Sequence, residues 1–548
     1  MTGFHSIKRR PRFALILLLS WLGAGLVAPA LSQSTGNTVG LTYTSPSVSP
    51  GYTLFAPGGS RNTYLIDLQG RLIQRWTSTY FPGMAAYLLE DGHLLRSARV
   101  ASANFQGGGT GGRVEEYDWA GNLVWSYTYS TTQHRQHHDS IKLPNGNVIM
   151  IAWELKSREE ALAAGRNPAL LSQGQLWPDS LIEIQPSGID TGTIVWEWHA
   201  WDHLIQDLSP TNANFGVVAD HPERIDINFP GSSNADWLHC NGIDYNADLD
   251  QIVVSVHGFD EIWILDHSTT TAEAAGHSGG RSGRGGDLLY RWGNPQSYRA
   301  GTSQNQKLFG QHNPNWIPEG YEGAGNILVF NNGAGRPEGR ISTIEEITPP
   351  LDANGAYTNA PGNAFGPADA TWQYTASIPT SFYAQNVSGA QRLPNGNTLI
   401  CKGPAGVFFE VTALGETVWE YVCPVTGSGL LVQGSPPPLA NLVFRSPRYA
   451  PDFAGLTGRD LTPQGTAEPV VGIPFRLTQA SPESMGLRIQ WNSEADRVYQ
   501  VLYRSDIPGS DWTTIGTLTA IGTSAWFIDS DEVRLQRPQG FYRVQESP

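Results

Sequence analysis

The clearest hydrophobic pattern in the sequence is a pair of short apolar runs that flank a polar turn within residues 137–150. The turn reads Pro144-Asn145-Gly146-Asn147. Asn-Gly is the strongest short signal for a β-hairpin, because a type I′ turn requires a positive φ at both central residues. The stretch therefore predicts two antiparallel strands joined by a type I′ turn.

This pattern recurs along the chain. Related stretches begin near residues 84, 239, 311 and 386, and each is followed by a further apolar run. Aromatic residues spaced by one position then close the repeats, at Trp125/Tyr127, Trp196/Trp198, Tyr290/Trp292, Trp372/Tyr374 and Trp419/Tyr421. A spacing of two places both rings of a pair on one face of a strand. Each repeat thus predicts four short strands in meander order.

Repeats of four short strands are typical of a β-propeller, which usually has about four to eight blades. Five repeats are complete, and residues 52–76 and 441–445 supply strands for a sixth that is divided between the chain ends. Sharing a blade in this way leaves no open sheet edge. The sequence therefore predicts an all-β fold, a six-bladed β-propeller of four-stranded blades over residues 40–446 with a split closing blade. A five-bladed ring with separate tails is the alternative.

The segments outside the repeats differ in composition. Residues 1–32 combine a basic start, an apolar run and small residues before the predicted cleavage point, which predicts a secretory signal peptide rather than a membrane helix. We therefore expect a periplasmic or extracellular protein with no integral membrane segment after signal removal. Residues 447–470 predict a Pro/Gly-rich linker. The alternating strands of 471–548 predict a small β-sandwich similar to the fibronectin type III-like modules of secreted bacterial proteins.

Charge and cysteine content bear on the possible binding partners and on the disulfide state. The formal net charge of −15 argues against nucleic acid or anionic lipid as a partner, and nothing in the sequence indicates the oligomeric state. Cys401 and Cys423 are predicted two strands apart, about 9.5 Å, whereas a disulfide needs Cα atoms within about 7 Å. A disulfide between them is an alternative that requires a distorted loop. Cys240 is expected to be a buried small residue.

Histidines enter the first predicted strand of three consecutive repeats, as His137 and His138, His239, and His312. Because first strands line the channel of a propeller, we expect these side chains to meet at one mouth. Clustered imidazoles suit either a transition metal or a nucleophile with acid/base partners. Nearby amide and guanidinium groups favour an anion site; they are Asn241, Asn313, Asn315, Arg336 and Arg340. The sequence predicts no cofactor and assigns no metal ligand.

Several local motifs lie in this region: His239-Cys240-Asn241, Gln311-His312, the segment 286–293, the segment 329–333 followed by Arg336, and the Leu-Pro-Asn-Gly-Asn turn at 393–397. In combination they resemble the motifs of the bacterial arylsulfotransferases. The resemblance covers about residues 50 to 445. It implies a six-bladed propeller that moves a sulfuryl group from a phenyl sulfate to a phenol through a sulfohistidine, without a nucleotide sulfate donor.

The resemblance also implies roles for individual residues. His239 and His312 match channel histidines of the family, and Arg336 matches its sulfate-binding arginine, with Arg340 as a second choice. The family has a later-blade histidine, taken as the nucleophile, where this chain reads Asn386-Val387-Ser388. We therefore expect His239, His312 or His138 to act as nucleophile or acid/base. Residues expected to contact substrate are His137, Asn241, Asn313, Arg340 and Ser388.

Two functions are consistent with these motifs. The first is an exported sulfotransferase whose partners are a small aryl sulfate donor and a phenolic acceptor. The second is a non-catalytic propeller that binds sulfated or other surface glycans, which the missing histidine and the appended module suggest. A redox or metal propeller is a third hypothesis that rests only on the clustered imidazoles.

Overall fold

The computed structural model describes residues 33–352, 355–435, 439–468, 477–505, 511–537 and 539–547. Strands make up 41% and helices 9%, so the predicted all-β class is confirmed. The signal peptide predicted at 1–32 lies outside the described residues, as does the segment 469–476 at the predicted module boundary. None of the described helices is long and apolar enough to cross a membrane.

Four antiparallel sheets, numbered here 2 to 5, follow each other along the chain, and each has four strands hydrogen-bonded in chain order. Sheet 2 contains Pro82–Leu88, Leu94–Arg99, Gly112–Tyr117 and Leu123–Thr128. Sheet 3 contains His134–Lys142, Val148–Glu154, Asp179–Ser187 and Thr191–His199. Sheet 4 contains Cys240–Asn246, Gln251–Val256, Glu261–Asp266 and Tyr290–Trp292. Sheet 5 contains His312–Trp316, Ile327–Asn331, Thr343–Ile347 and Trp372–Tyr374.

Two further sheets combine strands from both ends of the chain. Sheet 1 contains Tyr52–Phe55, Asn62–Ile66 and Leu72–Thr77, and its fourth strand is Arg448–Tyr449. Sheet 6 contains Gly389–Arg392, Thr398–Lys402, Val407–Val411 and Thr417–Val422, extended by Gly40–Thr44 and Gln33–Ser34. Every predicted aromatic pair lies on the fourth strand of its sheet, as the period-two pattern requires.

The strand that joins the chain ends does not lie where the pattern placed it. Within the predicted stretch 441–445, Val443 forms only a single bridge to Pro57. The paired strand is Arg448–Tyr449, which aligns with Tyr52 and Thr53. The earlier residues are used differently: the Phe444 ring packs near His138 and His312, and Arg445 pairs with Asp139.

The turns inside the repeats also differ from expectation. In the turn at 143–147, the Gly146 amide donates to the Leu143 carbonyl at 2.9 Å. Gly146 has a φ of 88°, whereas Asn145 does not lie in the left-handed region. The type I′ prediction is therefore wrong, because the loop is a type I turn followed by a left-handed glycine. The Asn145 side chain stabilises it by accepting a bond from the Asn147 amide at 2.9 Å.

The first strands of neighbouring sheets contact one another. In sheets 2 to 5, the pairing between the first and second strands also contains a register shift. Residues with positive φ lie at the beginnings or at the register breaks of these strands, at Met84, His138, His239, Asn313, Val387 and Ser388. Left-handed non-glycine residues are uncommon and persist where the surrounding structure fixes the backbone. The strand entrances are thus held in one conformation at a common end of the sheets.

Short helices and short paired strands lie outside these six sheets. The α-helices are Arg158–Ala163, Thr271–Ala274 and Glu532–Leu535. The 3-10 helices are Pro168–Leu170, Ala200–His203, Val218–Asp220, His257–Phe259, Pro295–Tyr298, Ser303–Asn305, Pro379–Ser381, Gly403–Ala405 and Ala454–Leu456. Short paired strands are Lys156–Ser157, Gln175–Leu176, Leu204–Ile205, Ile225–Asp226, Val425–Thr426 and Gly429–Leu430.

The C-terminal region forms two three-stranded sheets. One contains Leu477–Glu483, Gly486–Asn492 and Ser524–Asp529, and the other contains Val498–Arg504, Thr513–Thr519 and Phe541–Glu546. Side chains of both sheets, among them Trp491 and Tyr499, share one apolar core.

All three cysteines are buried and carry free thiols. Cys401 lies in the second strand of sheet 6, and Cys423 directly follows the fourth. One strand separates the two, so the alternative of a disulfide between them is wrong.

Arg448 links the two ends of the chain. It is almost fully buried and pairs with the fully buried Glu410 of sheet 6. It also donates to Thr53 Oγ1 at 3.1 Å and to the Ser49 carbonyl at 3.2 Å. Its guanidinium lies 4.4 Å from the centre of the Trp419 ring. One side chain therefore connects the last strand of sheet 1 with the first part of the chain and with sheet 6.

Replacing Arg448 with alanine is expected to destabilise the protein strongly, by about 3–5 kcal/mol, because Glu410 is left buried without a partner. Urea unfolding measures this loss. Arg71→Ala, which breaks a partly exposed pair with Asp67, is the matched control and should cost at most about 1 kcal/mol. Equal effects of the two substitutions would show that Arg448 does not hold the chain ends together.

Candidate active site

A cavity of about 720 Å³ opens where the chain enters the first strands of sheets 4 and 5. His239, His257, Asp236 and Asp260 contribute polar groups to its wall, and Trp177 and Trp237 contribute apolar surface. The loop between the second and third strands of sheet 2 also lines the cavity, through Gly107 and Gly108. The cavity therefore combines titratable groups with aromatic walls.

Asp236 and His239 form a close pair on this wall. His239 Nδ1 lies 2.5 Å from Asp236 Oδ2, and the other carboxylate oxygen accepts a bond from Trp153 Nε1 at 2.8 Å. Burial alone would lower the pKa of His239, but attraction to Asp236, helped by Asp179, raises it above the ordinary value. With Nδ1 occupied, Nε2 is the nitrogen that His239 offers to a ligand. A carboxylate that orients an imidazole in this way is the usual support of a nucleophilic or basic histidine.

Burial favours the uncharged form of both His257 and Asp260, in contrast to His239. Burial, reinforced by His239, lowers the pKa of His257 to about 4, so this ring is neutral near pH 7. Burial raises the pKa of Asp260 to about 7, although its oxygens accept bonds from the Gly310 amide at 2.6 Å and the Gln306 side chain at 2.9 Å. Asp260 can therefore exchange a proton near neutral pH.

A second row of buried groups lies behind the cavity. His137 Nε2 lies 2.8 Å from Asp179 Oδ1, and the Nδ1 atoms of His137 and His138 are 2.8 Å apart. Burial lowers the pKa of both histidines well below the ordinary value. Burial, with repulsion from Asp236, raises the pKa of Asp179 well above its usual range. Because both histidines are neutral, one of them donates its Nδ1 proton to the other.

The rings form a continuous cluster. Centroids of His138 and His239 are 4.7 Å apart, those of His239 and His257 are 5.3 Å apart, and those of His257 and His312 are 5.7 Å apart. The structure thus brings together all four histidines that the repeats single out, and it adds His257.

His312 is held on both sides within this cluster. Its Nε2 accepts a bond from the Val387 amide at 3.2 Å, which places the ring proton on Nδ1. Nδ1 then donates to Asn332 Oδ1 at 2.8 Å. Burial lowers the pKa of His312 well below the ordinary value. With both nitrogens engaged, this ring supports the strand entrance at Val387 and has no nitrogen left for a ligand.

The remaining predicted site residues lie apart from the cavity lining. Asn241 donates to the Gln311 carbonyl at 2.8 Å, and Asn313 Oδ1 accepts from the Ala390 amide at 3.1 Å. Ser388 bonds the Asn386 carbonyl and the Gly403 amide. Arg336 donates to Thr343 at 2.9 Å, and the exposed Arg340 lies over the Tyr383 ring at 5.9 Å. Neither arginine is among the residues that line the histidine cavity.

Arg445 is a buried charged group that the motifs did not single out. It pairs with Asp139 Oδ2 at 2.6 Å and stacks on the Phe444 ring at 4.6 Å. It lines a second cavity of about 240 Å³ together with Asn313 and Tyr87. Attraction to Asp139 outweighs burial and raises the pKa of Arg445, so its charge is fixed.

Four buried neutral histidines predict a loss of stability in acid. The pKa values of His137, His138, His257 and His312 are lower in the folded state than the unfolded value of about 6.5. The unfolded state therefore binds more protons as the pH falls, and the free energy of unfolding decreases from about pH 6.5 downward.

His257→Gln should remove up to about 3 kcal/mol of this acid sensitivity between roughly pH 6.5 and 4, as measured by urea unfolding at successive pH values. His221→Gln changes a half-exposed histidine and should leave the dependence as it is. Retention of the full acid sensitivity in His257→Gln would disprove the neutral state of His257.

Comparison with solved structures finds distant likenesses. A Bacteroides caccae protein of unknown function has a TM-score of 0.39 and 10% identity, and covers 73% of this chain and 98% of its own. A Lactobacillus plantarum protein has a TM-score of 0.34 and 10% identity, with 87% and 99% covered. Inactive virginiamycin B lyase from Staphylococcus aureus has a TM-score of 0.31 and 10% identity, with 68% and 85% covered. No curated protein matches the chain.

The family comparison is more specific. A family model for arylsulfotransferases (ASST) matches residues 47–422. This range is more than half of the chain and includes every residue of the histidine cavity. The chain therefore belongs to the arylsulfotransferase family.

Proposed function

We propose that this protein is an exported sulfotransferase that moves a sulfuryl group from a phenolic sulfate ester to a phenolic acceptor, with His239 as the nucleophile. The observation that carries the proposal is the Asp236–His239 pair on the wall of a large cavity inside the family-matched region. The aromatic wall formed by Trp177 and Trp237 suits the aryl group of such an ester.

The proposed architecture is a six-bladed propeller. Four sheets of four successive strands, two further sheets that combine strands from both chain ends, and contacts between the first strands of neighbouring sheets support this arrangement. The two three-stranded sheets near the C-terminus are proposed to be a fibronectin type III-like sandwich. Export rests on the signal-like composition of residues 1–32.

The first chemical step uses the neutral form of His239. Its Nδ1 proton donates to Asp236, and the Nε2 lone pair attacks sulfur. The N–S bond forms while the ester S–O bond breaks, and the phenolate leaves with the bonding electrons. Asp260 supplies a proton to the phenolate, since its pKa of about 7 keeps part of it protonated at neutral pH. Asp236 stabilises the positive charge left on the sulfohistidine.

The second step reverses these roles. The acceptor phenol gives its proton to Asp260, and its oxygen attacks sulfur as the N–S bond breaks. The neutral ring of His257 can donate a hydrogen bond to a sulfuryl oxygen. No nucleotide takes part, and all atoms of the sulfuryl group pass from donor to acceptor.

A non-catalytic role in binding sulfated glycans is the second candidate. It is favoured by His312, whose nitrogens are both engaged, and by Val387 and Ser388 at the strand entrance where the family has its later histidine. On this hypothesis the cavity holds a sulfate group without transferring it.

A chromogenic aryl sulfate with a phenol acceptor distinguishes the two candidates. The mature protein should release the chromophore, and His239→Gln should reduce the rate by at least about 100-fold because the nucleophile is lost. The control His221→Gln should keep the full rate. Equal rates in wild type and His239→Gln would disprove the proposed chemistry. A sulfated oligosaccharide that raises Tm without any turnover would support the binding role instead.

The rate should also depend on pH in a defined direction. Only neutral His239 has a lone pair, so kcat/KM should rise with pH through a midpoint above about 6.5, since Asp236 raises the pKa of His239. At higher pH the rate should fall again, because Asp260 loses the proton that it supplies to the leaving phenolate. Asp236→Asn removes this attraction and should lower both the midpoint and the rate. Asp190→Asn, at an exposed position, serves as the control. A midpoint that stays in place in Asp236→Asn would assign the titration to another group.

A further inference from the structure

A second group of histidine and carboxylate side chains lies outside the histidine cavity. His203 ends the 3-10 helix Ala200–His203, directly after the last strand of sheet 3. His277 and Asp287 lie in the Gly-rich loop between the third and fourth strands of sheet 4. None of the three lines the cavity of His239, and the proposed sulfuryl transfer uses none of them.

The three side chains converge on one point. Asp287 Oδ1 lies 2.8 Å from His203 Nδ1 and 2.9 Å from His277 Nδ1, and all three atoms lie within 4.8 Å of one another. Ligands at about 2.0–2.1 Å around a tetrahedral zinc ion are about 3.3 Å apart. An increase of roughly half an ångström in the two distances from Asp287 Oδ1 would therefore match the spacing of metal ligands.

The ring of His203 is set in the orientation that a metal ligand needs. Its Nε2 lies 2.8 Å from the Ala274 carbonyl. A carbonyl oxygen only accepts, so Nε2 carries the hydrogen, and in a neutral ring the lone pair is on Nδ1, which faces Asp287. A backbone carbonyl that holds the second nitrogen is the common support of metal-binding histidines. The fully buried ring also stacks on Trp198, with centroids 5.7 Å apart and an interplanar angle of 5°.

The loop is built tightly around this ring. A Cβ atom at Gly286 would lie 2.6 Å from His203 Nε2 and 2.0 Å from the Ala274 carbonyl oxygen. The Trp198 indole donates to the Gly286 carbonyl at 2.7 Å. His277 is the exposed member of the group, since 47% of its side chain is accessible to solvent. A metal could therefore reach the ligands from outside while His203 stays fixed.

We propose that His203, His277 and Asp287 form a binding site for a divalent transition metal of the zinc class. Two imidazole nitrogens and one carboxylate oxygen supply three ligands, and water supplies the fourth. The bound metal would fasten the Gly-rich loop of sheet 4 to the extension of sheet 3.

Arg224 limits the affinity of this site. Its Nε lies 3.2 Å from Asp287 Oδ1, so a positive charge already faces the carboxylate that must hold the metal. Arg224→Gln should therefore bind the metal more tightly than the wild type. His221, which is half exposed and pairs with Glu223, has no third partner of this kind among the described residues and provides a matched control.

The test uses the full mature chain, stripped with a chelator and titrated with Zn²⁺ or Co²⁺ alone. Wild type and the control His221→Ala should bind one equivalent of Zn²⁺ at this site, and saturation with Zn²⁺ should raise the Tm of both proteins. With Co²⁺, both should give the intense visible absorption of a four-coordinate ion. His277→Ala, which changes an exposed side chain, should lose that equivalent and the cobalt absorption. Asp287→Asn should lose them as well.

His239→Gln separates this site from the histidine cavity and should retain the bound metal. Absence of stoichiometric Zn²⁺ and of the cobalt absorption in folded wild type would overturn the proposal. Equal binding by wild type and His277→Ala would overturn it too. Activity toward aryl sulfates does not enter these readouts, so failure of the proposed reaction leaves this test unaffected.

Discussion

The pairing of the chain ends is the constraint on which the rest of the structure depends. Sheet 1 takes three strands from residues 52–77 and its last strand from Arg448–Tyr449, and the buried Arg448–Glu410 pair ties both to sheet 6. The first strands of sheets 1 to 6 contact one another in succession along the chain. Left-handed residues in this region include His138 and His239, whose rings lie 4.7 Å apart.

Burial gives the clustered histidines different pKa values. Burial lowers the pKa of four rings more than nearby carboxylates raise it, whereas the Asp236 carboxylate keeps His239 basic. The same burial raises the pKa of Asp179 and Asp260. Within one cavity the pKa of His239 is therefore raised while His257 is neutral and Asp260 exchanges a proton near neutral pH, although the two histidines are chemically alike in the sequence.

Much of the framework could be predicted because the repeats carry it. The aromatic pairs and the Leu-Pro-Asn-Gly-Asn turns place strands correctly, and the position of His239 at a strand entrance predicts its place in the cluster. Asp236 and Asp260 could not be found in this way, since they lie in loops outside the repeat. His257 could have been predicted from the repeat, because it directly follows the second strand of sheet 4. In an antiparallel pair, the end of the second strand lies beside the beginning of the first. The predicted catalytic role of His312 could not be judged from spacing, since it depends on the bonds that Val387 and Asn332 make to its ring.

The shared sheet 1 also determines the order in which parts of the structure can form during synthesis. Arg448 bonds to Thr53, a residue 395 positions earlier, so the first three strands of that sheet emerge from the ribosome long before their last neighbour exists. Contacts of such sequence separation form slowly. Until then, the edge of Tyr52–Phe55 presents unpaired backbone groups that can associate with other chains. Completion of sheet 1 therefore waits for Arg448–Tyr449, which follows the family-matched residues 47–422. A segment beyond the family match thus decides when that sheet is complete.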